Sequence, residues 1–324
     1  MFLRPCGARL MVWLLCGLGL LILLLAGDAL VRGAVNLSLR LGVPALIVSL
    51  TIVAFGTSAP ELLVAIKAVQ ENAPDIALGN VVGSNTANIL LILGIPALLT
   101  AIRTSQCNSR KTYFQMLAAS VLFIVLAFFG VFTILSGLVL LTALAFVLWD
   151  MFRDARAHRR AGLASDLEEI EEADPDMPYW RIGVYLVLGL IGLPLGAHLL
   201  VENASIIASR YGVSDTVIGL TLVAVGTSLP ELATTVMAAL RRHTEVALGN
   251  VIGSNMFNLL GIVGVASFFG RIPVDPAFLH FDLWVMLGAS LLLAPFVYGC
   301  RDITRPWGVA LTGLYVAYVI SILV

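Results

Sequence analysis

Apolar residues run through this chain in long blocks. Blocks long enough to cross a bilayer, at roughly 20 residues each, fall near 11–31, 42–70, 75–99, 113–130 and 132–149. They return near 180–203, 213–240, 245–268, 279–299 and 306–324. The pattern predicts ten helices, the fourth and fifth separated only by the uncharged turn "FGVFTILSG". One stretch, 150–178, breaks the pattern. Its first half is basic, with Arg153, Arg156, Arg159 and Arg160. Its second half is acidic, from Asp166 to Asp176. It lacks the alternating acidic ligands and central glycine of an EF-hand loop, and so reads as a solvated connector.

A second pattern overlies the first. Shifted by 170 residues, "GTSAPELLVAIKAVQENAPDIALGNVVGSNTANILLILG" (56–94) lies over "GTSLPELATTVMAALRRHTEVALGNVIGSNMFNLLGIVG" (226–264) without a gap. The match fades upstream but persists: Leu30-Val31 falls over Leu200-Val201, and Gly42-Val43 over Gly212-Val213. The first block, preceded by Arg4 and Arg9, could pass for a signal peptide. Its counterpart in the sixth block makes it a helix of the fold. The chain therefore divides into 1–149, the connector 150–178, and 179–324. Five helices per half is an odd number, so the second half starts on the opposite side of the membrane. The expected fold is an all-α membrane protein, with ten transmembrane helices in two inverted-topology five-helix repeats. That is an architecture of secondary transporters, with sites near the midplane where the repeats meet.

Composition agrees. Of 324 residues, 60% are hydrophobic and 12% charged, where soluble domains carry about a quarter charged; the mean hydropathy is +1.00. A net charge of −1 points to no nucleic-acid partner, and no obligatory protein partner is evident beyond the lipid bilayer. The four cysteines are scattered and read as apolar filler, neither a metal set nor a disulfide framework. With 150–178 cytoplasmic, most other Lys and Arg residues also fall inside. Both termini are then outside, although Arg4 and Arg9 run against the rule.

Against this background two carboxylates stand out. Glu61 and Glu231 each sit mid-block, where a charge costs several kcal/mol. Pro60 and Pro230 precede them, and Gly56 and Gly226 loosen the same turns. Carbonyls near Ala54, Thr57, Ala224 and Thr227 are expected to be freed there. The next block of each half carries Ser84, Asn85 and Asn88, or Ser254, Asn255 and Asn258. Ser84 and Asn88 share one helix face, as do Ser254 and Asn258. Gly79/Gly83 and Gly249/Gly253 form small-xxx-small pairs for close helix approach. Any one of these is ordinary membrane packing; all of them at one spacing in both halves are not. Carboxylates, hydroxyls, amides and carbonyls without sulfur or imidazole select hard cations such as Ca²⁺, Na⁺ or Mg²⁺. Two carboxylates balance one Ca²⁺, or monovalent ions in overlapping positions. Competition at one alternating site is antiport.

At these residues the sequence resembles the cation/calcium exchanger superfamily, and within it the prokaryotic sodium/calcium exchangers. "GTSxPE" and "GNxxGSNxxN" look like its two alpha repeats. The resemblance implies electrogenic exchange of several Na⁺ against one Ca²⁺, with no cofactor and no enzymatic activity, in a prokaryotic inner membrane. It implies that the first and sixth helices slide as a pair over the remaining bundle. It also implies that Glu61 and Glu231 are the shared carboxylates and that the Thr57 and Thr227 carbonyls are calcium ligands. The Ala54 and Ala224 carbonyls and the Ser58, Ser84, Ser228 and Ser254 hydroxyls correspond to sodium-site ligands. Asn88 and Asn258 correspond to the pair at the middle site. Asn258 stands where some relatives, and the potassium-dependent branch, carry Asp, which points away from potassium dependence. The short connector lacks the large regulatory domains of animal relatives.

The nearest alternative is a Ca²⁺/H⁺ antiporter using the same two glutamates; the four serines favour sodium. A serine hydrolase would need a base beside the nucleophile, and no G-x-S-x-G surrounds these serines. A passive channel would not need the two proline-flanked carboxylates. Asp28 and its counterpart His198 read as structural polar residues, and Arg32 and Glu202 as helix-end residues that snorkel.

Overall fold

The computed structural model describes residues 6–104, 109–160, 174, 176–212, 224–276, 278–299 and 301–323. The first apolar block forms α1 (Cys6–Leu41) and the sixth α7 (Tyr179–Arg210), of 36 and 32 residues. At 1.5 Å per residue each outreaches a hydrocarbon core of about 30 Å, so each must tilt or protrude. Between them lie α2 (Ala45–Thr57), α3 (Ala59–Gln70), α4 (Pro74–Leu99), α5 (Arg110–Ala127) and α6 (Ile134–Arg160). After α7 come α8 (Ala224–Thr227), α9 (Leu229–Leu240), α10 (Thr244–Ala266), α11 (Phe278–Tyr298) and α12 (Arg305–Leu323). The first half of the seventh block, 213–223, lies outside the described residues.

The fold is mostly helical, as expected, with two local additions. A short pair of strands, β1 (Val131–Phe132) and β2 (Ile272–Pro273), sets Phe132 opposite Ile272 in antiparallel register, and Ile102 forms an isolated bridge to Ile303. The block at 42–70 is interrupted where Gly56 and Pro60 loosen it, and α2 and α3 meet at a 43° bend. The fifth helix also runs on through Arg160, carrying the basic half of the 150–178 stretch.

The backbone repeats with the sequence. Helix α3 breaks from α2 at Ser58 (φ −83°, ψ 3°), and α9 from α8 at Ser228 (φ −89°, ψ 4°). Both α3 and α9 end in the same left-handed turn, at Asn72 (φ 57°) and Arg242 (φ 60°). There the Ala73 and His243 amides each donate back across the turn at 2.8 Å, to Ala68 and Ala238. This is the Schellman ending. Arginine tolerates that conformation poorly, so the shared geometry comes from the fold rather than from residue preference. Helices α4 and α10 both widen to π-helical turns, at Asn88–Ile92 and Phe257–Ile262.

Helices α4 and α10 form the centre, with 83% and 94% of their apolar spans buried, against 33%, 28% and 22% for α1, α6 and α7. The outer helices show Trp13, Leu25, Phe146, Trp149 and Leu188 on their exposed faces, surface that only lipid would cover without cost. Helices α1 and α7 pack backbone to backbone. A Cβ at Gly19 would lie 2.6 Å from the Leu200 nitrogen, one at Gly189 2.5 Å from Leu30 Cβ, and one at Gly196 2.9 Å from the Leu23 nitrogen. Close approach through glycines is how membrane helices gain packing energy when lipid is as apolar as leucine.

Candidate functional site

The two broken helices bring their carboxylates into the protein centre. Glu61 and Glu231 each stand in the first turn after a break, one residue beyond a proline and three beyond a serine. Each is only 1% exposed. The positive ends of α3 and α9 lie beside them, which favours negative charge there. Among the described residues neither glutamate has an ion-pair partner. One oxygen of each, Oε2, is buried with no hydrogen bond. An uncompensated buried carboxylate costs several kcal/mol, so the pair calls for a positive ligand.

The surrounding polar groups come from both halves. The Ser58 hydroxyl, from the first half, donates to Glu231 Oε1 at 3.3 Å. Ser228 donates to Ser84 at 3.5 Å. Thr57 Oγ1 lies 3.3 Å from both the Ala54 carbonyl and Asn250 Oδ1. Its counterpart Thr227 Oγ1 lies 3.4 Å from Asn80 Oδ1. The structure thus joins Ser58 with Glu231 and Ser84 with Ser228 directly, and Thr57 with Glu231 through Asn250. Asn88 and Asn258 lie on the central helices, each 1% exposed with its Oδ1 unpartnered, and the Ser254 hydroxyl is buried and unpartnered.

The Ala54 carbonyl is not freed as expected. It accepts from the Ser58 amide at 3.0 Å as well as lying within reach of Thr57 Oγ1, because the turn closes one residue before the proline takes effect. The helical donor that Pro60 removes would have served Gly56, four residues earlier. Ala54 is fully buried, and its second lone pair is what it can offer. For Ala224 only the backbone, in α8, is described.

Sequence reasoning passed over Asn80 and Asn250. Asn250 donates to the Glu231 carbonyl at 3.2 Å and to Thr235 Oγ1 at 3.0 Å while accepting from Thr57. It therefore clips the break of one half to the glutamate helix of the other. The signal was present: both asparagines head the repeated "GNxxGSN" and stand four residues before a serine already singled out.

The close helix approach expected of the glycine pairs is present for Gly249 and Gly253. A Cβ at Gly249 would lie 2.8 Å from Ser49 Cβ, and one at Gly253 2.6 Å from Ala54 Cβ. The segment that would correspond for Gly79 and Gly83 falls outside the described residues. Asp28 forms ion pairs with Arg32, at 3.0 Å, and with Arg241 at the end of α9. The exposed His198 instead lies near Glu202 on its own helix, 3.6 Å away.

A profile described as sodium/calcium exchanger protein matches residues 11–152 and 182–324. The sodium/calcium exchanger MaX1 of Methanosarcina acetivorans is 35% identical, with 94% of this chain and 96% of that protein covered. The inner membrane protein YrbG of Escherichia coli K12 is 34% identical, with 93% of each covered. A solved structure of the sodium-calcium exchanger NCX_Mj, soaked with 2.5 mM Na⁺ and 0.1 mM Ca²⁺, superimposes with a TM-score of 0.77. It is 33% identical and covers 94% of this chain and 96% of its own.

Proposed function

This chain belongs to the sodium/calcium exchanger protein family, and from that premise we propose that it exchanges Na⁺ for Ca²⁺, with Glu61 and Glu231 binding the ions in competition. One observation carries the reading. Five buried oxygens of the expected ligand set, Glu61 Oε2, Glu231 Oε2, Asn88 Oδ1, Asn258 Oδ1 and Ser254 Oγ, make no hydrogen bond within the protein. Buried acceptors are normally satisfied. A hard cation satisfies all five, and the set contains neither sulfur nor imidazole.

In this proposal the Thr57 and Thr227 carbonyls complete a calcium site between the glutamates. Ser58, Ser84, Ser228 and Ser254, with the Ala54 and Ala224 carbonyls, serve flanking sodium sites. Asn88 and Asn258 serve the middle position. Calcium and several sodium ions need the same carboxylates, so one displaces the other. A carrier holding two unpaired buried carboxylates switches sides reluctantly, and this couples the two fluxes. The repeated backbone supports ten spans in two inverted halves, with 1–149 and 179–324 as the repeats. The charged 150–178 connector is then cytoplasmic and both termini outside. Alternating access follows if α1 and α7 move together over the central helices.

The test is calcium uptake into Na⁺-loaded proteoliposomes diluted into Na⁺-free medium, beside a pH gradient alone. Uptake driven by Na⁺ and lost in Glu61→Gln and Glu231→Gln is expected. Uptake driven only by the pH gradient would overturn sodium coupling and make the protein a Ca²⁺/H⁺ antiporter on the same glutamates.

A further inference from the structure

A primary amide carries an acceptor oxygen and a donor NH₂ of similar shape. Facing a cation, one attracts and the other repels. Four asparagines meet between α4 and α10, and their hydrogen bonds fix which end each one shows. Asn255 Nδ2 lies 3.4 Å from the backbone carbonyl of Asn85 and 3.8 Å from Met116 Sδ. Asn85 Nδ2 lies 3.3 Å from the backbone carbonyl of Asn255 and 3.7 Å from Met286 Sδ. Carbonyls and thioethers cannot donate. Turning either amide over would set its oxygen against two lone-pair-bearing atoms, so both NH₂ groups are held where they are.

That orientation passes to the next pair. Asn255 Oδ1 accepts from Asn88 Nδ2 at 2.9 Å, and Asn85 Oδ1 accepts from Asn258 Nδ2 at 3.2 Å. With their NH₂ groups engaged, Asn88 and Asn258 are left with their oxygens as the unpartnered ends. All four side chains are 1% exposed, so water does not compete for these bonds. Met116 and Met286 are 170 residues apart, as are the asparagines, and both are fully buried.

We propose that Asn85 and Asn255 are positioning residues that hold the amides of Asn88 and Asn258 with oxygen, not NH₂, presented to the transported cation. The relay starts at two backbone carbonyls, which the chain cannot flip, and crosses between the halves in both directions. This rests on reading Asn88 and Asn258 as ion ligands, and the test separates the two ideas.

A double-mutant cycle uses Asn255→Ala, Asn88→Ala and the double variant, in purified full-length protein reconstituted into liposomes. The apparent affinity for Na⁺ and for Ca²⁺ is read from exchange, and thermal stability is followed in parallel. We expect Asn255→Ala to weaken ion affinity several-fold, and to have no further effect on affinity once Asn88 is alanine. Equal effects of Asn255→Ala in both backgrounds mean it acts through general packing, which overturns the relay. If Asn88→Ala lowers affinity while Asn255→Ala does not, the relay fails and the ligand reading stands. If Asn88→Ala leaves both affinities unchanged, the ligand reading fails and the relay with it. Should Asn255→Ala fail to fold, Asn85→Ala with Asn258→Ala forms the same cycle from the other half.

Discussion

At the scale of single residues, Ser58 shows how a local signal is diverted by the site. Serine followed three residues on by glutamate spells the capping box that opens a helix, and both Ser58–Glu61 and Ser228–Glu231 fit it. The backbone obeys: Ser58 and Ser228 occupy the cap positions, with no side-chain cap hydrogen bond. The Ser58 hydroxyl turns across the protein to Glu231 instead. A hydrogen bond to a charged group contributes about 1.5–3 kcal/mol. Ser58→Ala is therefore expected to weaken apparent Na⁺ affinity by roughly tenfold or more while leaving the helix start intact. Sodium titration of exchange, with thermal stability beside it, checks this; unchanged Na⁺ dependence would remove Ser58 from the site. The polar residues of this site were legible in the sequence because each is costly in an apolar block and each recurs 170 residues on. Their pairing was not. Ser58 reaches Glu231, whereas Ser228 reaches Ser84, and no spacing distinguishes those outcomes. Asn80 and Asn250 were overlooked because an asparagine among glycines reads as helix packing until its partners are seen.

At the scale of elements, the glycine spacing in α10 gave a correct account of packing, but only the structure shows what the packing serves. Helix α2 lies so close to α10 that a Cβ on Gly253 would meet Ala54 Cβ at 2.6 Å and the Leu50 carbonyl at 2.7 Å. Neither atom is the flexible end of a side chain, and Ala54 opens the last turn before the break at Ser58. Gly253→Ala should therefore lower stability by about 1–3 kcal/mol from overpacking, despite alanine's better helix propensity. It should also reduce transport by displacing the break. Gly313→Ala, in α12 with nothing within 4 Å of the added carbon, should instead hold or raise the melting temperature, since glycine costs a helix about 1 kcal/mol relative to alanine. Melting curves of the two variants side by side test this, and similar shifts would show that the α2–α10 approach is not tight. The ends of α3 and α9 were less legible. A left-handed Arg242 has no residue-level signal; it follows from the repeat, through Asn72.

At the scale of the whole molecule, the long outer pair α1 and α7 is held together through glycines, and α1 is also tied to the core by charge. Asp28, near the middle of α1, meets Arg241 at the end of α9, and both side chains are about four-fifths buried. The counterparts of these two residues, His198 and Glu71, face neighbours on their own helices instead: His198 lies near Glu202, and Glu71 pairs with Lys67. The tie is thus made on one half and not on the other. The sequence offered Asp28 and His198 as equivalent positions, and nothing in the 170-residue offset separates them. The difference arises because two halves with similar backbones pack differently against α1 and α7. If α1 moves over α9 during exchange, the Asp28–Arg241 pair must break in each cycle, and a largely but not fully buried pair of this kind holds by an amount between a surface bridge and a buried one. Asp28→Asn is then expected to change the exchange turnover several-fold while leaving the apparent Na⁺ and Ca²⁺ affinities near those of the parent, because Asp28 lies outside the proposed ligand set. Initial rates at saturating ions, together with ion titrations of the same liposomes, separate the two quantities. A turnover equal to that of the parent would mean that α1 keeps its position on α9 throughout the cycle, and the moving part would have to be sought among the central helices instead.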